Sequence, residues 1–353
     1  MSVTELEKPV SKVTARRPRA LYLDLLRCYA IVCVVLLHAL VPLLSDTKYF
    51  GTNSWLAALA INPFCRTGVA IFLMISGHLL LNDPLADDMS RFYKKRLPRL
   101  MVPLLVWNVV YYLYYALVWG LGGGIGGFFT QLINSGTAYH MWYVYTLIGI
   151  YLLTPYLKKI TDACSKGQVA GLFFLIIGMT TIRPFINTTA SIYIHLFEPL
   201  MQGYIGYFLL GYLLGSVDFS RAQRALFYLG GAAGYVVNVA FGYARSTPEA
   251  LDYSMNAGYA LPRFLFAAAI FVLFRQIFGK SEGAVVRLAS KFAGLTFGIY
   301  WVHVIALLEV SERLALDMIP IVETLVQFVI AFAASAAVAA LLNLIKPVRK
   351  YLL

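Results

Sequence analysis

Charge is what this sequence has little of: 13% of its 353 residues are Asp, Glu, Lys or Arg, against 60% that are hydrophobic. A soluble chain carries about twice that share of charge, so a water-exposed globular fold is excluded, and no polar stretch is long enough for an independent soluble domain. Cysteine is scarce as well. Cys28, Cys33, Cys65 and Cys164 form no Cys-x-x-Cys pair and no framework spacing, which excludes a disulfide scaffold. Cys28 and Cys33 fall in the first apolar run, where neutral thiols pack as small hydrophobes. The five histidines (His38, His78, His140, His195 and His303) show no His-x-x-x-His or His-Glu-x-x-His spacing, so no metal is expected. A small-residue cleavage site is lacking after the basic arm of Lys8, Lys12, Arg16, Arg17 and Arg19, and the apolar run that follows is too long for a signal core. The arm and run together read as an uncleaved signal anchor.

What the chain has instead is one bilayer-length apolar run after another. Runs near 20–44, 63–82, 98–119, 140–157, 168–185, 200–217, 225–243, 260–278, 292–310 and 320–345 predict an all-α, polytopic transmembrane helix bundle of about ten spans. The fifth, ending in MTTIRPF, is the weakest. The division is then a basic arm (1–19), a transmembrane domain (20–345) and a tail (346–353). With both termini cytoplasmic, inner segments hold 22 Lys and Arg, and outer segments hold six: Lys48, Arg66, Arg183, Arg245, Arg263 and Arg313. That asymmetry is the positive-inside pattern. It makes the net charge of +12 a signal of orientation and of contact with membrane lipids, with no nucleic-acid partner. The outer run WGLGGGIGG (119–127) matches G-x-G-x-x-G at Gly122, Gly124 and Gly127, but no strand precedes it, so a flexible loop is expected rather than a dinucleotide site.

Two clusters carry chemistry. Arg27 and His38 are eleven residues apart on the first span, within roughly 20° of one helix face and about 16 Å apart along the axis. Ionisable groups inside a bilayer face a cavity or a partner. Arg27 is also near enough to the interface to snorkel, and Asp24, one turn earlier, is placed to pair with it. The stretch RFYKKRLPRLMVP (91–103) puts Arg96 and Arg99 at the inner mouth of the third span, where arginine forks suit phosphates and anionic lipid headgroups alike. Ser76-Gly77 suits close helix approach, and no G-x-S-x-G elbow supports a serine nucleophile. Trp142 and Tyr143 fit an interfacial aromatic belt or sugar stacking. His303, in YWVH on the ninth span, fits either the site or a tyrosine contact, and Arg183-Pro184 and Glu198-Pro199 are expected in solvated outer loops.

In this order the stretches resemble the acyltransferase-3 family, integral membrane enzymes that O-acylate cell-surface carbohydrates. LDLLRCYAIVCVVLLHA carries an Arg-x10-His, GVAIFLMISGHLLL (68–81) is similar to the family's second-span Ser-Gly segment, and RLPR is similar to its Arg-x-x-Arg. WYVYTLIGIYLLTPYLKK (142–159) and FGIYWVH (297–303) are similar to later segments. The resemblance implies a standalone O-acyltransferase of the bacterial inner membrane, without an appended esterase-like domain. It implies acetyl-CoA as cytoplasmic donor at Arg27, Arg96 and Arg99, and a glycan or lipid-linked saccharide as acceptor. His38 would be the general base, with Asp24, Ser76, Trp142, Tyr143 and His303 in support. Two departures stand out: Ala70 replaces a common acidic residue, and His78 replaces a more usual aromatic or aliphatic one. A transporter or flippase for a lipid-linked or anionic metabolite is the rival class, although no matching pair of broken segments occurs in two halves. A scaffold subunit of a secretion complex is a third.

Overall fold

Long apolar runs satisfy their backbone in a bilayer as helices or as a closed barrel. The computed structural model describes residues 21–134, 136–190, 203–252, 254–258, 260–280 and 284–352, and among the described residues the chain is helical with no β-sheet. In order the helices are α1 (Leu21–Ser45), α2 (Asn53–Leu80), α3 (Met89–Arg96), α4 (Pro98–Trp119), α5 (Gly124–Ile133), α6 (Trp142–Ala163) and α7 (Lys166–Ala190). There follow α8 (Tyr204–Ser216), α9 (Arg221–Arg245), α10 (Leu261–Phe278), α11 (Ala284–Ala293), α12 (Thr296–Arg313), α13 (Pro320–Leu344) and α14 (Lys346–Tyr351).

Each of the ten expected runs is mainly helical where it is described, with non-helical residues at several ends and a break at Gly294–Leu295 inside the ninth, but length and composition single out fewer as bilayer-crossing. Six qualify among the described residues: α1, α2, α3 read through into α4, α9, α10 and α13. A seventh arises if α11 and α12, bent by 60° at a short break, count as one. The 13 residues of α8 span only about 20 Å, short of a hydrocarbon core.

Three local expectations change. Helix α2 starts ten residues before the expected span, because the Thr52 hydroxyl accepts from the Trp55 N–H and caps it, and Pro63 lies inside rather than at its start. Arg66 is therefore a mid-helix residue. The glycine run is a loop only as far as Gly123. Gly120 adopts φ +65, where a side chain is strained, and ends α4; from Gly124 the chain is helical, its start fixed by Tyr112, whose hydroxyl donates to the Gly124 carbonyl (2.5 Å) and accepts from the Gly123 N–H (3.0 Å). Arg183 and Pro184 fall within α7, not in a loop. The basic arm, His195 and Glu198-Pro199 lie outside the described residues.

Helices α1 and α2 form the centre. In the most apolar stretch of α2, 67% of residues are buried against 17% for α13, so α13 turns most of its surface outward. Helix α1 packs on α2, α11, α12 and α13, and α2 also packs on α8. The α2–α8 contact is backbone to backbone: a Cβ on Gly77 would overlap the Phe208 carbonyl, and one on Gly211 would overlap that of Met74. Small residues permit this approach, and dispersion between helices rewards it. Ser76-Gly77 thus serves helix packing, with His78 against Gly215 one turn further on.

Candidate functional site

The first span carries the two ends of the site. Near its start Asp24 is fully buried, and its carboxylate accepts from Arg27 (2.5 Å) and from the Ser290 hydroxyl of α11 (2.8 Å). The pair expected from sequence therefore forms, and it fastens α1 to α11. Arg96 pairs with Asp83 (2.5 Å), and Arg99 is exposed. Arg27, Arg96 and Arg99 each lie within electrostatic reach of half-buried Tyr151 of α6.

At the other end a cavity of about 720 Å³ opens between α1, α2, α6, α8, α10, α12 and α13. That volume falls within the range of small-molecule sites. Its walls include His38, Arg66, Tyr139, His140, Trp142, Tyr143, Tyr204, Arg263, Tyr300, Glu323 and Gln327. His38, Trp142 and Tyr143 were expected at the site, and the structure brings all three to this cavity. Arg27, Arg96, Arg99, Asp24 and Ser76 are not among its walls. On α1 the lining begins at Val34, about 10 Å beyond Arg27, and buried Ala30 and Ile31 lie between.

Three histidines meet around His38. Its ring stacks on His303 of α12 (centroids 5.3 Å, planes 28° apart), and His303 meets His140 edge to face at 5.0 Å. Tyr139 touches both His38 (4.9 Å) and His140 (6.0 Å). Nδ1 of His303 lies 2.6 Å from the Tyr300 carbonyl oxygen, which only an N–H tolerates. The lone pair of His303 is thereby assigned to Nε2, which is buried with no hydrogen-bond partner among the described residues. His140 is buried too, and neither of its ring nitrogens has a partner among the described residues. Two of the hydroxyls around it are committed to backbone: Tyr300 donates to the His140 carbonyl (2.7 Å) and Tyr111 to that of Trp301 (2.8 Å).

The cavity also has cationic walls in Arg66 and Arg263. Arg66 donates through Nε to Asn62 (3.1 Å), and Arg263 donates to the Arg66 carbonyl, binding α10 to α2. Glu323 accepts from the Leu316 N–H (3.0 Å) and from Gln327 (3.3 Å), closing the α13 side. Sequence reasoning took Arg66 and Arg263 for loop charges and gave His140 no role beyond ruling out a metal. Their one signal was depth: each adjoins or interrupts an apolar run. Among the described residues no set of His, Cys, Asp and Glu is arranged to hold a metal.

This arrangement offers an imidazole base, a cationic wall and aromatic faces in one cavity, with a separate basic cluster at the far end of the same helix. No curated protein and no solved structure matches the chain. The family model described as an acyltransferase domain matches residues 20–344, nearly the whole chain, and the protein belongs to the acyltransferase-3 family.

Proposed function

We propose that the protein is a membrane-embedded O-acyltransferase that moves an acyl group, acetyl in the first instance, from acyl-CoA to a hydroxyl of a cell-surface or lipid-linked glycan. The observation that carries this reading is the position of His38: it lines the cavity and lies on the same helix as the Arg27 cluster, about 16 Å away along the axis. The CoA phosphates sit at Arg27, Arg96 and Arg99, on the cytoplasmic side of a ten-span bundle in the bacterial inner membrane, with both termini cytoplasmic. The acyl end of the donor passes along α1 to the cavity, and the acceptor enters from the opposite side. Trp142 and Tyr143 offer ring faces to the sugar. His38, in its neutral form, takes the proton of the acceptor hydroxyl as that oxygen attacks the thioester carbon. The C–S bond then breaks and CoA leaves as the thiol, reprotonated from His38. Holding two substrates in line from opposite sides supplies the proximity term.

The test is transfer of label from [acetyl-¹⁴C]-CoA to glycan extracted from cells lacking the gene, using the purified full chain in nanodiscs. His38→Ala should insert normally and lose about 10²–10⁴-fold in turnover, the range for a general base. Full activity in that variant refutes the assignment. Glycan that crosses vesicles without acquiring label supports the transporter class instead.

A further inference from the structure

The acyl-transfer reading leaves one charge unattended. When the acceptor oxygen adds to the thioester carbon, the carbonyl π pair moves onto oxygen, and that oxyanion needs a hydrogen-bond donor fixed in advance. We infer that His140 is this donor, a catalytic residue for the proposed acyl transfer; the inference rests on that reading.

The argument starts from an anomaly in the ground state. A buried polar group without a partner bears the cost of lost hydration with nothing in return, and in native proteins such a group calls for an explanation. His140 is 2% exposed, lines the cavity, and has both ring nitrogens unpartnered among the described residues. An imidazole always carries at least one N–H. Among the described residues that N–H has no acceptor, and the backbone carbonyls of His140 and Trp301 accept from Tyr300 and Tyr111 instead. The Tyr300 hydroxyl holds the His140 carbonyl just before α6, and the ring itself packs against those of Tyr111, Tyr300 and His303.

Position completes the case. His140 and His38 both pack on His303 and both pack on Tyr139, which makes them neighbours on one wall of the cavity. A base and an idle donor side by side are the two groups that addition to a carbonyl requires. His303 does not compete for the role, because its N–H is spent on the Tyr300 carbonyl. The electrons balance without a further reagent. The hydroxyl proton goes to His38 as the C–O bond forms, and the negative charge on the carbonyl oxygen rests against the His140 N–H. Collapse restores the carbonyl, breaks the C–S bond, and returns the proton from His38 to sulfur.

The experiment compares His140→Phe and His140→Gln with the unaltered full chain in nanodiscs, using [acetyl-¹⁴C]-CoA and glycan from cells lacking the gene. Phe keeps the ring and removes the donor; Gln restores an N–H. The expected result is a Phe variant whose thermal midpoint equals or exceeds that of the parent, since an unpartnered polar group has been removed. Its KM for acetyl-CoA should stay within about twofold while kcat falls about 10²–10³-fold, as for loss of one oxyanion donor, and Gln should recover at least tenfold over Phe. If the Phe ring prevents insertion, His140→Met serves the same comparison. The inference is overturned if the donor-free variant keeps kcat within about threefold, if its loss lies in KM, or if a folded Gln variant is no better than Phe. Failure of the parent protein to transfer label sinks the acyltransferase reading and this inference with it. An active parent beside an active Phe variant sinks the inference alone.

Discussion

Arg27 has two claims on it, and one substitution series separates them. The Asp24 side chain is 1% exposed and Arg27 28% exposed, with 2.5 Å between carboxylate and guanidinium. Removing one partner of a buried ion pair costs roughly 3–5 kcal/mol, because the remaining charge loses its compensation. Arg27 is still partly hydrated, which places Arg27→Gln at the lower end, about 3 kcal/mol. Against a typical stability of about 5–15 kcal/mol that is a severe loss, and an inactive Arg27→Gln protein would prove nothing about donor binding. Asp24→Asn in the same chain removes the stranded charge and leaves a neutral amide pair. The double variant should therefore recover most of the lost thermal stability, a coupling energy of about 2 kcal/mol or more between the two sites. The assay is thermal unfolding of the purified protein in nanodiscs, with acetyl-CoA binding measured on the variants that remain folded. If Arg27 also holds a CoA phosphate, the stable double variant binds acetyl-CoA more weakly than Asp24→Asn alone. Additive losses in the cycle would refute the structural coupling, and equal affinities would remove Arg27 from the donor site.

The other basic residues behave differently. The Arg96–Asp83 pair is partly exposed on both sides, so Arg96→Ala should cost at most about 1 kcal/mol while weakening acetyl-CoA binding roughly tenfold or more, as for a lost charge-assisted hydrogen bond; Arg99→Ala should do the same with no stability change, and unchanged affinity in both variants excludes them from the donor site. Gly77→Ala places a methyl on the Phe208 carbonyl and should lower stability by about 1–3 kcal/mol through overpacking of α2 on α8; an unaltered unfolding midpoint would show that the two helices separate freely.

Runs of apolar residues told most of the helical order. The third run, 98–119, coincides with α4, because Pro98 opens the helix and Gly120 closes it with a left-handed turn. Where local punctuation misleads, tertiary packing decides. Pro63 marks a start in the sequence but sits inside α2, whose first turns are held by the Thr52 cap and by buried Trp55. Arg27 and His38 were legible because they share one helix, and their relation follows from helical periodicity. Of the histidines around His38, His303 was named for the site but not its stacking on His38, and His140 was not named for it: the two come from segments 163 residues apart, and nothing in either stretch specifies the other. Arg66 and Arg263 were read only as charges to be counted. Their contribution to one wall depends on α10 lying against α2, a fact of packing alone.

The bend between α11 and α12 has a consequence for how the two ends of the site are held. This stretch is tied to α1 near both ends: at Asp24 through Ser290, with the Cys28 thiol donating to the adjacent Ala289 carbonyl, and at His38 through His303. Asp24 and His38 are fourteen residues apart on α1, and Ser290 and His303 thirteen apart on the bent stretch, so it runs alongside α1 like a splint pinned at both ends. The Asp24–Ser290 bond and the Cys28–Ala289 bond hold one end of that splint, and the ring seated on His38 belongs to the other. The packing of His38 and the pair of buried Asp24 with Arg27 are in this way parts of one brace.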